Sequence, residues 1–492
     1  MLNSNFDVLI KKSPGNRMIF FNTLTRKKEE FFPIREGVVG IYSCGPTVYD
    51  FVHLGNLRAY VFVDLLKRYL RFRGFVVNHI INVTDIDDKT IRESRKVGRN
   101  LKEYTEVYFD EFKKDLQKLN ILFPERFVKA TNHIEDMVSL VVKLKRLGYA
   151  YESNGSTYFR IDKVPSYGNL ALLSRQSLKR KVETKLSDDE YSKDEVDDFV
   201  LWKAWKPDDG ENYWETELGK GRPGWHIECS AMSMRYLGES FDIHTGGIDL
   251  IFPHHTNEIA QSESATGKKF VNFWLHNDHL LVNGEKMSKS LGNFYTLRDD
   301  EVEKFDPLLV RMSLLKSHYR QSVNFTEDLI GESAGIINRI INSIIDLSHV
   351  EGVTENDVNV GTIIEENRRQ LISAMDDDLN IGRFFTFFIA FIGDVNKLRA
   401  KLNVRQASEI MAYIFEIDSI VGVFSDLYRR YQMELENLVR DKEINRLLKK
   451  REESKERRDF KTADWLREEI LNLGLQVIDS KSGYYVKLSK FL

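Results

Sequence analysis

Residues 38–83 constrain the fold more than any other stretch. VVGIYSC (38–44) reads as a buried strand, and Gly45-Pro46 breaks it. His53-Leu54-Gly55-Asn56 then opens an amphipathic helix in which Val61, Val63, Leu65, Leu66 and Tyr69 fall at roughly helical spacing. Phe75 to Val83, after Gly74, reads as a second buried strand. Strand, glycine-containing turn, helix and strand make a βαβ unit, which predicts a parallel sheet. Such sheets bind nucleotides at the carboxyl ends of their strands.

The rest of the chain fits around that unit. Its 492 residues suggest about three domains. With 31 Phe and 20 Tyr, disorder is excluded for the bulk of it. No apolar run approaches the roughly 18–20 residues of a membrane span; the densest, Phe384 to Gly393, is too short. The opening MLNSNFDVLIKK lacks the basic, apolar and small-residue order of a secretion signal, so a cytoplasmic location and no membrane partner are expected. Net charge is −3, so any nucleic-acid contact needs local basic patches. Residues 100–146 read as helical, closed by Gly148, and 175–198 as a surface loop or insertion. Strand-like segments lie at 241–244, 270–275 and 279–282. After Asn293 nearly everything reads as helical, with breaks at 351–361. The order is α/β first and all-α later.

Several short patterns carry chemistry. In HLGN, Gly55 lets a phosphate approach the backbone, the helix N-terminus offers N–H donors, and His53 can hydrogen-bond a phosphate. The same four residues also fit a turn with one structural histidine. Lys286-Met287-Ser288-Lys289-Ser290 suits a mobile clamp on a pentavalent phosphate, or a solvated loop. Cys44 and Cys229 are the only cysteines; without a secretion signal they do not suggest a disulfide. His254 and Glu258 stand four apart after Pro253, which suits a helix's first turn. Two thiolates, an imidazole and a carboxylate form a tetrahedral zinc set, although buried thiols beside a helical His/Glu pair read equally from spacing alone. Six of the 11 histidines crowd into residues 226–279. Asp85, Asp87 and Asp88 can ligate Mg²⁺ or cap the next helix. Gly246 and Gly247 can admit an adenosine, with Asp249 on its ribose. Asp441 to Lys461 holds nine Lys/Arg and six Asp/Glu and reads as a charged helix; Trp465, Tyr484 and Tyr485 beyond it can stack on unpaired bases.

HLGN and KMSKS together resemble the two signatures of class I aminoacyl-tRNA synthetases. More narrowly, YSCGPTVYDFVHLGNLRAY, NVTDIDDK, GRPGWHIECSAMS, FDIHTGGIDLIFPHHTNEIAQSE, KMSKSLGNF, AMDDDLN and DFKTADWLREEI resemble the cysteinyl-tRNA synthetase family. The resemblance runs from about residue 17 to the C-terminus. It implies a Rossmann-type catalytic domain with an inserted connective segment, then a helical bundle and a small anticodon-binding domain. The expected boundaries are 1–135 and 206–295 for the two catalytic halves, 136–205 for the insertion, 296–360 for a stem-contact region, 361–430 for the bundle and 431–492 for the last domain.

The resemblance implies that L-cysteine is activated with ATP and Mg²⁺, then transferred to the 3′ end of tRNA(Cys). One Zn²⁺ per chain would select the cysteine thiolate through Cys44, Cys229, His254 and Glu258. His53, Gly55 and Asn56 would serve the phosphates, Gly246 and Asp249 the nucleoside, and Lys286 and Lys289 the transition state. Lys289 would be the stronger ATP contact. Trp225 would wall the amino-acid pocket. Arg457, Arg458, Asp464 and Trp465 are candidate tRNA contacts by position, and a monomer is expected. Four departures stand out: HLGNLR for an alanine-type HIGNAR, Thr245 where glycine is common, Thr256 where glutamate is usual, and YWETELGK for the usual tryptophan-proline segment before GRPGW. The rival expectations are a paralogue joining cysteine to an amino-sugar, which would lack residues 431–492, and an inactive tRNA-binding module.

Overall fold

The computed structural model describes residues 17–173, 198–287, 293–352, 358–480 and 483–489. The chain divides into two compact units. One holds residues up to 304 with 317–325 and 374–380; the other holds 305–316, 326–373 and 381–492.

The first unit opens with a hairpin, β1 (Ile19–Asn22) and β2 (Lys27–Glu30). The expected βαβ unit follows as β3 (Val38–Ser43), α1 (Leu54–Phe72) and β4 (Val76–Val83). β4 is buried on both faces along most of its length, with Asn78, His79 and Asn82 set among its five aliphatic residues. The region read as one helical stretch is three elements: helix Leu101–Lys118, strand β5 (Arg126–Lys129) and helix Ile134–Arg146. β5, RFVK, is too short and too charged to stand out by pattern. It joins the sheet edge through Ile80↔Arg126 to Val83↔Lys129.

An antiparallel sheet interrupts the parallel one. Its strands, in chain order, are β6 (Ala150–Ser153), β7 (Ser156–Phe159), β8 (Phe199–Ala204), β9 (Trp214–Thr216) and β10 (Gly219–Pro223). It therefore runs on to Pro223. The loop expected at 175–198 falls, except for Asp198, outside the described residues. Helix Trp225–Leu237 then returns the chain to β11 (Phe241–Gly247) and β12 (Val271–Asn277). The parallel sheet has the order β12-β11-β3-β4-β5.

Beyond it, β13 (Leu280–Val282) pairs antiparallel with β14 (Glu285–Lys286) and parallel with β15 (Val323–Phe325). The second unit is helical around Ile337, Ile341, Phe384, Phe388, Ile414 and Ile417, all buried. Each such burial contributes roughly 1.5–3 kcal/mol. The apolar run from Phe384 thus belongs to a core helix, Ile381–Leu398. No helix among the described residues is long and apolar enough to cross a membrane.

The charged stretch after Asp441 is not one helix. It breaks between Lys442–Glu456 and Phe460–Asn472, with Arg458 at φ 61° and Asp459 capping the second helix by accepting from Thr462 N. A hairpin, Leu475–Ser480 with Gly483–Leu488, closes the chain where only helix was expected.

Candidate active site and metal centre

The strand order fixes where a ligand can enter. From the central strand β3 the chain builds outward through β4 and β5, then returns to add β11 and β12 on the other side. The switch point lies between β3 and β11, where open α/β sheets bind their ligands. Cys44 and Gly45 leave β3 there, and Gly246 and Gly247 end β11. A Cβ on Gly246 would stand 2.7 Å from His255 Cε1 and 2.9 Å from Leu250 Cδ1, so only glycine fits.

At this point Cys44, Cys229, His254 and Glu258 converge, with one ligand atom of each within 4.8 Å of the others. The two sulfurs are 3.9 Å apart. Cys44 comes from the end of β3 and Cys229 from helix Trp225–Leu237. His254 and Glu258 flank the start of helix Thr256–Thr266. That helix begins later than Pro253 suggests: residues 251–255 form an irregular turn with Phe252 extended. The i, i+4 pairing survives, and His254 Nε2 faces Glu258 Oε1 at 3.1 Å.

The electrostatics of the cluster follow from its burial. Burial pushes the Cys44 thiol well up, and Cys229 and the Glu258 carboxyl up as well. It pulls His254 well below the usual imidazole range. The set is neutral by default; a cation placed among the four would favour the thiolates and the carboxylate and keep His254 neutral. His254 Nε2 is buried and, although close to Glu258 Oε1, is not aligned for a hydrogen bond with it, which leaves the nitrogen available as a ligand. Its Nδ1 lies 2.9 Å from His226 Nδ1. Burial holds His226 neutral, down to about 3, so one proton is shared along that contact. With that proton on His254 Nδ1, Nε2 presents its lone pair. Trp225 stacks on the His254 ring at 4.0 Å and 23°, and His244 Nε2 donates to Glu258 Oε2 at 2.9 Å.

The HLGN segment and Lys286-Met287 meet at the first turn of α1. His53 is the N-cap of α1; its Nδ1 accepts from Gly55 N at 3.1 Å and Asn56 N at 3.3 Å. The ring proton therefore sits on Nε2. Leu54 N donates to Tyr295 O, and the His53 ring packs edge-on against Phe294 at 4.7 Å. A Cβ on Gly55 would lie 2.9 Å from Met287 Cε, so the glycine brings the helix start under the KMSKS segment. Lys286 ends β14 and is exposed. Residues 288–292, Lys289 among them, lie outside the described residues. Asp249 and Lys286 both act on His279, which burial first and then Lys286 pull below its usual range.

The remaining sequence expectations resolve individually. Asp87 caps helix Asp88–Lys96 in a capping box with Thr90. Asp85 accepts from Thr131 N and Oγ1, and Asp88 pairs with Arg222 and Lys203, so each of the three has a structural partner. Thr245 is buried with its hydroxyl 2.7 Å from Ser43 Oγ, and Thr256 donates to Ile251 O. Arg457, Arg458, Asp464 and Trp465 are exposed. Tyr485 stacks on His349 at 3.9 Å, and Tyr484 lies half-buried under Arg451, which makes Trp465 the more open stacking surface.

Sequence reasoning counted His255 among the crowded histidines but gave it no place in the metal set. His255 Nε2 lies 3.3 Å from Cys44 Sγ, and its Nδ1 is 2.7 Å from His276 Nε2. Cys44, His244, His255 and Glu258 form a second grouping with metal-ligand proximity, sharing two members with the first. His255 adjoins His254 in PHHTNE, which was its available signal.

A family model described as the tRNA synthetases class I (C) catalytic domain matches residues 30–335. The cysteine–tRNA ligase of Brachyspira hyodysenteriae is 43% identical over 470 residues, covering 95% of this chain and 98% of that one. The cysteine–tRNA ligase of Chlamydia muridarum is 41% identical over 487 residues, covering 96% and 99%. Among solved structures, Mycobacterium tuberculosis methionyl-tRNA synthetase in complex with methionyl-adenylate aligns with a TM-score of 0.57 at 16% identity, over 80% of this chain and 92% of that one. That likeness is one of fold, and it agrees with the Rossmann-type α/β core and its helical continuation. Matched over most of its catalytic half by the family model, and over nearly all its length by these relatives, the chain belongs to the cysteine–tRNA ligase family of class I tRNA synthetases.

Proposed function

We propose that this protein activates L-cysteine with ATP and Mg²⁺ to cysteinyl-adenylate and pyrophosphate, then transfers cysteine to the 3′ end of tRNA(Cys). The observation that carries this reading is the four-ligand cluster at the sheet's switch point, together with the meeting of HLGN and Lys286-Met287 at the first turn of α1. Two sulfurs, a buried unpaired imidazole nitrogen and a carboxylate suit Zn²⁺, one ion per chain. When bound, Zn²⁺ accepts the substrate sulfur as a thiolate and prefers it to a serine hydroxyl.

The chain's own residues do the rest by position and charge. Trp225, stacked on His254, walls the amino-acid side of the site. The substrate carboxylate attacks the α-phosphorus in line, and the bond to the leaving pyrophosphate breaks. The N-terminal end of α1 carries a dipole of about half a positive charge near those phosphates. His53 Nε2–H and Asn56 donate there, and Gly55 keeps the approach open. Gly246 and Asp249 receive the nucleoside. Lys286, with Lys289, stabilises the charge that builds on the transferring phosphate. A terminal ribose hydroxyl of the tRNA then attacks the acyl carbon and AMP leaves. Residues 431–492 would read the anticodon, and the enzyme would work as a cytoplasmic monomer.

Cysteine-dependent exchange of pyrophosphate into ATP without tRNA, followed by charging of purified tRNA(Cys), tests the reading in two steps. Exchange with charging is expected. Exchange without charging would point to the amino-sugar paralogue, and neither to an inactive binding module. A second expectation concerns Trp465. Stacking on a base is worth about 1–3 kcal/mol, so Trp465→Ala should raise the KM for tRNA(Cys) roughly 5–150-fold and leave exchange unchanged. An unaltered KM would remove Trp465 from the tRNA surface.

A further inference from the structure

We propose that Arg58 is a positioning residue for ATP activation, fixing the base of the Lys286 hairpin against the helix that carries His53. The proposal rests on the adenylation reading of this site. Arg58 lies one turn into α1 and is 2% exposed. Its Nη1 donates to Asp278 O at 2.6 Å and to His279 O, and its Nη2 to Gln321 O. All three partners are main-chain carbonyls, not carboxylates. Burial pulls the guanidinium down to about 10, still charged at neutral pH.

The carbonyls belong to the two segments that start the hairpin sheet. Asp278 and His279 lead into β13, and Gln321 leads into β15. These strands pair as Leu280↔Val323 to Val282↔Phe325. His279 O accepts from Val323 N as well as from Arg58, and Asp278 N donates to Tyr319 O. β13 then hands its register to β14 through Leu281↔Lys286. One guanidinium thus ties two carbonyls directly upstream of the lysine hairpin to a third that leads into its partner strand β15, while the same helix presents His53 at its start.

A second grip lies one turn further along α1. Phe62 stacks on Tyr319 at 4.4 Å and 13°. Tyr319 and Arg320 in turn donate to the fully buried Asp378, which also accepts from Phe21 N. This gives the AMDDDLN motif a physical role, as the anchor of the 318–321 segment that Arg58 holds from the other side. A lysine cannot replace this clamp, because only the planar fork reaches carbonyls on separate segments at once.

The test uses full-length Arg58→Lys and Arg58→Ala in cysteine-dependent pyrophosphate exchange, with active sites titrated so that kcat refers to folded protein. The expected result is a kcat at least about 30-fold lower in both, with KM for cysteine within about threefold of wild type. Added guanidinium should restore part of the kcat of Arg58→Ala and none in Arg58→Lys. A titrated kcat within about threefold of wild type in either variant overturns the proposal. So does a loss explained wholly by fewer folded sites, which is what a merely structural arginine would give. If wild type itself shows no exchange, the adenylation reading fails instead.

Discussion

In a Cys229→Ser variant, zinc content should fall below stoichiometry and kcat/KM for cysteine should drop roughly 10²–10³-fold, about 2.7–4 kcal/mol, while KM for ATP stays within about threefold. The asymmetry follows from where the groups sit. Cys229 is 1% exposed on helix Trp225–Leu237, with its sulfur 3.9 Å from that of Cys44. A serine hydroxyl there stays protonated at neutral pH, and metal–oxygen bonds are shorter than metal–sulfur bonds by about 0.2–0.3 Å. The helix cannot follow inward, because Ser230 on the next position is buried and bonded to Gln261 and Ser262. The effect should therefore exceed the roughly 10–100-fold typical of a residue that only orients a ligand. The groups proposed to hold the nucleotide, His53, Gly246 and Asp249, come from the N-cap of α1, from β11 and from the turn after it, so ATP affinity has no reason to change. Elemental analysis and steady-state kinetics check both halves. Equal losses toward cysteine and ATP, or unchanged zinc, would remove Cys229 from a metal pocket.

The catalytic core was legible because its signals are local. Glycine and proline mark the ends of β3, α1 is amphipathic, and β4 is rich in Val and Ile after a glycine turn. The metal quartet was legible only as a set of residue types. Cys44 and Cys229 stand 185 positions apart, and no spacing rule spans a sheet crossover and an inserted domain. What joins them is the return of the chain from β10 through helix Trp225–Leu237 to the strand beside β3. The elements that were missed differ in cause. β5 is four residues with Arg126 and Lys129 at its ends, so tertiary pairing outweighs its weak local pattern, whereas the closing hairpin carries Val477, Ile478, Tyr484, Tyr485 and Val486 and was passed over because the region read as helical. Arg58 left a signal of another kind. Leu54, Arg58, Val61 and Leu65 form one helical stripe, and all four are buried. A lone arginine on the core face of an amphipathic helix asks for acceptors, and only the fold shows that these are carbonyls from two distant segments.

His53 permits a substitution that separates its two duties. Its Nδ1 caps α1 while its Nε2 keeps the proton. Asparagine is among the best N-caps, so His53→Asn should preserve the helix start. It cannot place an N–H donor where the imidazole Nε2 reaches. Loss of one such transition-state donor costs about 10²–10³ in kcat, and that loss is expected in the exchange reaction of His53→Asn, with thermal stability unchanged. His53→Ala should show the same kinetic loss and, in addition, about 1 kcal/mol of lost stability from the missing cap. The pair of variants therefore divides the residue's contribution between folding and chemistry. If His53→Asn exchanges pyrophosphate at the wild-type rate, the histidine is a cap alone, and the phosphate contacts must come from the helix backbone and the lysine hairpin.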